Sequence, residues 1–309
     1  MIVSTKENKN IGTFLQKLVL PGRGSHKGQN GKALIIGGSS LFHGAVIWSA
    51  EVVDHLLDMV HVASTKENND IISQIKTKWQ GGIVVDFEDI LLYAQEDDVI
   101  LVGNGMMRGD RKEKVKEITW NEVLAIKDEG EFTRNLVYYL IVHFPKKQFV
   151  FDAGALQMME PEWLLLLERR PILTPHQKEF FTLFDRNISP LQQNQKREAA
   201  EEMAKKYNCI ILLKAVEDIV TDGTKTVIIE GGNAGLTKGG TGDVLAGLTA
   251  GLSTMTDVFS APVLASFILK KTADELSAIK GYWFSTVDII NEFPHVFHSL
   301  VLSNNSGSL

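Results

Sequence analysis

Cysteine is almost missing: Cys209 stands alone in 309 residues. A lone thiol forbids an intrachain disulfide and cannot build a structural zinc site, so a reducing, cytoplasmic setting is expected. Excess positive charge is missing too. The 32 Lys and Arg against 38 Asp and Glu leave a net charge of −6, which gives no electrostatic footprint for nucleic acid. No apolar run approaches the roughly 18 residues a membrane span needs. The opening MIVSTKENKNIG places charges where a signal peptide needs its apolar stretch. The 26 glycines follow no collagen period, and 44% hydrophobic against 23% charged residues excludes a disordered chain. Internal repeats and low-complexity linkers are absent, so one domain over residues 1–309 is expected.

What is present is an alternation of apolar runs and helical patterns. The segments Lys32–Ile36, Val60–Ala63, Asp98–Val102, Gln148–Asp152, Cys209–Lys214 and Thr226–Glu230 read as strands. They are continuously apolar, so both of their faces are covered, as in a mostly parallel sheet between helical layers. Helices are expected at Gly44–Asp58, Asn135–Val142, Glu162–Arg169, Arg197–Tyr207 and Asp243–Leu252, from apolar residues at helical spacing. The charged stretch Arg108–Arg134 reads as a solvated surface insertion, and the tail Ser303–Leu309 as frayed.

The strongest local signal is GGNAGLTKGGTGDVLAG over residues 231–247. A glycine loop opens directly into a buried helix, whose start offers unpaired N–H groups and a positive dipole end. Gly239, Gly240, Thr241 and Gly242 would form an anion hole, with Lys238 adding a mobile positive charge. Asp243 sits at the loop–helix junction. Its bland role is capping, which favours the ionised carboxylate. Beside an anion hole, an ionised carboxylate is also what phosphoryl transfer to a hydroxyl requires, one group taking the proton and the other holding the charge. The P-loop spacing is absent. The turn GNGMMR at 103–108 carries Arg108 where a dinucleotide fingerprint has its third glycine, so a Rossmann site is not expected. It is either a tight strand-exit turn or a ligand-facing loop. Asp152, His176 in ILTPHQKE and Lys214 at the end of CIILLK lie at strand ends. In a parallel sheet they would gather with Asp243 at one rim.

The segments LPGRGSHKGQNGKALIIGGSSLFHGA (20–45), FDAGAL (151–156), ILTPHQKE (172–179), ILLKAVEDIV (211–220) and GGNAGLTKGGTGDVLAGLTAGL (231–252) resemble the ADP/ATP-dependent NAD(P)H-hydrate dehydratases of the ribokinase-like superfamily. The resemblance implies a ribokinase-like α/β fold and repair of NADHX and NADPHX, the hydrated, inactive forms of the reduced nicotinamide cofactors. A phosphoryl group from ADP or ATP, with Mg2+ on the phosphates, would activate the ring hydroxyl, and its loss as phosphate would restore NADH or NADPH. Carried over by position, Ala45, Gly105 and His176 would contact the hydrate. Lys214, Ala215, Val216, Glu217, Asp218 and Gly242 would bind the nucleotide, and Asp243 would be the base and a substrate contact. No protein metal-ligand set is implied. Against the family pattern, Gly154 stands for an acid in DADAL, GNGMM for GPGLG, Ala215 for a glycine and Asp218 for a common threonine. The first motif begins at Leu20, so an NAD(P)HX epimerase, fused N-terminally in many members, is expected as a separate pathway partner. Homo-oligomerisation is also expected. Two alternatives remain: a ribokinase-like kinase of a vitamin-precursor alcohol, and an inactive nucleotide-binding homologue.

Overall fold

The structure is a computed structural model that describes every residue except Glu7, Lys9, 112–114, Lys116 and 307–309. Ten strands run along the chain: β1 (Ile2–Ser4), β2 (Lys32–Ile36), β3 (Met59–Ala63), β4 (Ile83–Val85), β5 (Val99–Val102), β6 (Gln148–Phe151), β7 (Ile172–Leu173), β8 (Ile210–Leu213), β9 (Asp218–Thr221) and β10 (Thr226–Glu230). They form one sheet in the order β1-β10-β9-β8-β7-β6-β5-β2-β3-β4. The pairing is parallel except where β9 runs against β8 and β10.

Alternation along each strand builds two cores. In β2, Ala33 and Ile35 face one helical layer, with the helices Gly44–Asp54, Thr241–Met255, Ser260–Lys280 and Thr286–Ser306. Leu34 and Ile36 face the other, with Glu129–His143, Gln177–Phe184 and Gln193–Lys206. All four of these β2 side chains are fully buried, and burial of each of Leu34, Ile35 and Ile36 stabilises the fold by about 1.5–3 kcal/mol. The expected layering of helices about a mostly parallel sheet is observed.

Connectivity places the cleft. From β2 the chain moves outward to β3 and β4, then returns to β5 on the other side of β2. The Gly44–Asp54 helix after β2 packs on one face and the Glu129–His143 helix after β5 on the other. Where successive crossovers part in this way, the carboxyl ends of two neighbouring strands open a crevice. Here those ends are Gly37–Gly38 and Gly103–Gly105, which meet where Gly38 N–H donates to the Asn104 carbonyl.

Several expectations need correction. Glu162–Arg169 is no α-helix: a 3-10 helix covers Pro161–Leu166, started by proline at its first position. The Glu129–His143 helix begins six residues before the expected Asn135, inside the charged stretch. Arg134 there is buried, 2.5 Å from the Met158 carbonyl and 2.6 Å from Glu160, with its guanidinium over Trp163. The end of that stretch is therefore packed, not solvated; 112–114 and Lys116 lie outside the described residues. Helix continues through Ser306, so the first part of the tail is helical, while 307–309 lie outside the described residues.

Candidate active site

Four strand ends deliver polar side chains to one rim. Asn104 leaves β5, Asp152 ends β6, Thr174 follows β7 and Lys214 follows β8. Asp152 is 2% exposed, and a carboxylate so buried must be paired. It accepts from Lys214 Nζ and Thr174 Oγ1, each at 2.8 Å, and from Asn104 Nδ2 at 3.2 Å. The same Asn104 amide donates to Asp243 Oδ1 at 2.8 Å. Lys214 also lies 3.6 Å from Glu179. Asp152, Lys214 and Asp243 do converge, with Asn104 as the link between the two aspartates.

The glycine loop works through its backbone. Gly240, with φ 98°, turns left-handed at the start of the Thr241–Met255 helix, which no side chain caps among the described residues. A β-carbon at Gly240 would come within 2.6 Å of the Trp48 ring, so the turn both demands glycine and seats the loop on the neighbouring helix. No hydrogen bond within the described residues engages the N–H groups of Gly242 and Asp243, while Gly239 has open space beside its α-carbon. Lys214 Nζ lies 3.7 Å from where a β-carbon of Gly242 would be. Amides without a partner among the described residues, a positive helix end and an ammonium thus lie together at this helix start, a combination that suits an anion. Thr241 contributes position alone: its hydroxyl bonds the Leu236 and Lys238 carbonyls.

Lys238 is not the mobile charge expected. Its ammonium is held by the carbonyls of Tyr282 and Phe284 and lies over the Phe284 ring, because the turn ahead of the Thr286–Ser306 helix presents those carbonyls to it. Asp243 also departs from expectation. A helix start favours the carboxylate, yet burial, and next the charge of Asp152, raise its pKa to about 6, against the Asn104 hydrogen bond and Lys214. Burial pulls the Lys214 ammonium down, but Asp152 and Glu179 outweigh it and hold the pKa above the ordinary lysine value. A half-buried base with pKa near 6 beside a fixed cation can accept a hydroxyl proton while the loop amides hold a phosphate.

The remaining assigned positions divide. Ala45 is buried at the start of the Gly44–Asp54 helix, directly beside Gly105. Ser49 Oγ lies 3.0 and 3.1 Å from the carbonyl oxygens of Ala45 and Asp243, joining the two helices. His176 is half exposed at the rim; its Nδ1 accepts from the N–H groups of Lys178 and Glu179. Ala215, Val216 and Glu217 form the β8–β9 turn, with Val216 89% exposed. Asp218, expected to touch nucleotide, faces inward instead. It accepts from Ala215 N at 2.8 Å and Ser266 Oγ at 2.7 Å and lies 3.7 Å from Lys270. Strand β9 turns it toward the Ser260–Lys280 helix, where it shapes the turn.

Asn104, Thr174 and Glu179 were not picked out beforehand. Asn104 is an amide between two glycines at a strand exit, and Glu179 follows His176 at capping-box spacing; both were visible as patterns, though not as partners. Gly154 also gains a reason: a β-carbon there would meet the Met106 carbonyl oxygen at 2.4 Å. The departures GNGMM and DAGAL are therefore two sides of one backbone contact.

Comparison with known proteins shows the family and the fold. A family model described as NAD(P)H-hydrate dehydratase matches residues 33–295. The bifunctional NAD(P)H-hydrate repair enzyme of Methanocaldococcus jannaschii is 32% identical over 282 residues, covering 88% of this chain and 49% of that protein. The chain thus spans about half the length of such bifunctional relatives. The ADP-dependent (S)-NAD(P)H-hydrate dehydratase of Nitrosopumilus maritimus is 28% identical over 292 residues, covering 93% of this chain and 96% of that one. A solved structure, the ADP/ATP-dependent NAD(P)H-hydrate dehydratase of Bacillus subtilis co-crystallised with ATP/Mg2+, superposes with a TM-score of 0.74 at 21% identity, over 94% of this chain and 97% of that one.

Proposed function

The chain belongs to the NAD(P)H-hydrate dehydratase family, and from that premise we propose that it dehydrates NADHX and NADPHX to NADH and NADPH at the expense of ADP or ATP. The observation that carries the reading is the carboxylate of Asp243, tied by Asn104 to the Asp152–Lys214 pair at an uncapped helix start.

The chemistry follows from that arrangement. Hydroxide leaves a carbon poorly and phosphate leaves well. Asp243 takes the proton of the ring hydroxyl as its oxygen attacks the terminal phosphorus of the nucleotide. The bond from that phosphorus to the remaining nucleotide breaks, and AMP or ADP departs. Amides of Gly239, Gly240 and Gly242, with Lys214, hold the migrating phosphoryl group. The carbon–oxygen bond then breaks with its electrons going to phosphate. The ring nitrogen supplies a pair to the ring, and loss of a proton from the adjacent ring carbon completes the dihydropyridine. Ala45, Gly105 and His176 line the hydrate's side of the site, and the Lys214–Glu217 turn the nucleotide's.

Among the described residues no group of three His, Cys, Asp or Glu side chains is arranged to hold a metal, and Asp152 and Glu179 are both engaged by Lys214. Magnesium fits this site as part of the donor, carried on the nucleotide phosphates, where it offsets their charge.

No helix among the described residues is long and apolar enough to cross a membrane. The single buried thiol Cys209 and the acidic balance support a cytoplasmic enzyme that does not bind nucleic acid. Exposed Ile279, Trp283 and Val287 support a homo-oligomer, and an epimerase activity would supply the reactive epimer. Residues 1–309 act as one domain on this reading.

The test offers purified NADHX with ADP and with ATP and follows the absorbance of reduced nicotinamide. Recovery of that absorbance with release of phosphate is expected. A stable phosphoester would identify a small-molecule kinase instead, and bound nucleotide without turnover an inactive homologue.

A further inference from the structure

We infer, on the reading above, that the groove beside Asn104 receives the adenosine end of the hydrated dinucleotide with its 2′-hydroxyl bare, so that NADHX is used in preference to NADPHX. Asn104 leaves β5, and the rim divides there. Toward β8 and β9 lie Lys214 and the turn assigned to the nucleotide, with His176 between them and Asn104. Toward β2, β3 and β4 lies a cavity of about 720 Å³. It begins at Gly38 and Met106, which flank the reacting corner; Gly38 N donates to the Asn104 carbonyl at 2.6 Å. A dinucleotide whose nicotinamide ring meets Asp243 has this groove for its other half.

The far wall is acidic. Asp86, Glu88 and Asp89 follow β4 at the sheet edge, and Asp70 projects from the Lys66–Ile75 helix. Lys66 is the cation near them. Lys127 lies toward the β5 side with Glu129, whose carboxylate already accepts from the Ser40 N–H and hydroxyl. Buried in this wall, Asn69 gives its amide N–H to the Val85 carbonyl and Asp86 Oδ1, while its carbonyl oxygen has no donor. Asn69 lines the cavity at 6% exposed, and its Oδ1 is an unpartnered acceptor covered by the wall, a group that costs free energy until a donor reaches it. Ribose hydroxyls and the adenine amino group are such donors. A carboxylate at a strand end also accepts from a ribose 2′-hydroxyl, whereas a 2′-phosphate is met elsewhere by arginine. Here a 2′-phosphate, bringing between one and two negative charges, would enter a cleft lined by five carboxylates and two lysines, which screens charge less than open water does.

The test compares kcat/KM for NADHX and NADPHX under one nucleotide and one salt condition, and in parallel titrates NADH and NADPH without nucleotide by their fluorescence. A preference for NADHX of about tenfold or more is expected, narrowing as salt is raised. In Glu88→Lys/Asp89→Lys, two exposed positions away from the reacting corner, the kcat/KM ratio should shift toward NADPHX by about tenfold, chiefly through KM. Equal use of both hydrates by the wild-type protein overturns the inference and leaves the dehydratase reading standing. No turnover of either hydrate overturns the dehydratase reading. In that case tighter NADH than NADPH binding would still support the groove's preference, and equal or absent binding would overturn it as well. If the double variant does not fold, the wild-type ratios decide.

Discussion

Two helices begin at the same rim and are finished in opposite ways. The Gln177–Phe184 helix is closed by a complete capping box: His176 Nδ1 accepts from the N–H groups of Lys178 and Glu179, and Glu179 returns a bond to His176 N at 2.9 Å. The Thr241–Met255 helix has glycine at the cap and no side-chain bond to its first amides. Each helix start carries the same positive dipole end, but one has spent its amides internally and the other keeps them for a ligand. A helix terminus becomes an anion site only where the local sequence withholds the cap.

The largest expected effect separates base from cap. Asp243→Asn should lower kcat by about a hundredfold or more with little change in nucleotide binding; steady-state rates and a binding titration check it, and a mutant retaining most of its rate would end the assignment. The same variant should be more heat-stable near neutral pH. The folded pKa of about 6 exceeds the ordinary 3.8, so the contribution of this group to stability is present below about 3.8 and lost as pH rises through about 6. That amounts to about 2–3 kcal/mol, which the neutral amide recovers. Thermal melts of both proteins at pH 5 and pH 7.5 should show the gain at the higher pH.

Next comes the titration itself. The wild-type rate should fall about tenfold per pH unit below about 6 and level off above it, the sign expected of a base that must be ionised. A rate that rises on acidification would assign Asp243 the role of acid.

Closing the open terminus is the third perturbation. Gly240→Ala puts a β-carbon against Trp48 at a left-handed position, which should cost about 1–3 kcal/mol in stability and weaken nucleotide binding. Denaturant unfolding and a nucleotide titration read the two parts. The smallest effect belongs to the closed terminus. His176→Ala removes a cap and should cost about 1 kcal/mol of stability, raising KM for the hydrate far more than it lowers kcat. Loss of kcat comparable to Asp243→Asn would erase the distinction between the two termini.

Much of the site was legible because strand ends and glycine loops announce themselves: Asp152, His176, Lys214 and Asp243 stand where apolar runs stop or helices start. Their convergence was a topological expectation, and hydrogen bonds through Asn104 bring Asp152, Lys214 and Asp243 together. Asn104 was not legible as a partner, because joining Asp152 to Asp243 needs residues 48 and 139 positions apart. Asp218 and Lys238 were misread for a related reason. A charged residue in a motif looks exposed in one dimension, and whether it turns to Ser266 and Lys270 or to the carbonyls of Tyr282 and Phe284 depends on helices contributed by distant sequence.

Periodicity and punctuation alone determined that this chain makes a covered parallel sheet with a glycine loop feeding a helix, since those features arise from a few neighbouring residues at a time. Protonation and direction were decided by the tertiary structure: which amides stay free, which lysine reaches the glycine loop, and why the pKa of the carboxylate at 243 is raised to about 6. Those properties depend on burial and on charges brought together from separate strands, and a linear sequence holds neither until the sheet has formed.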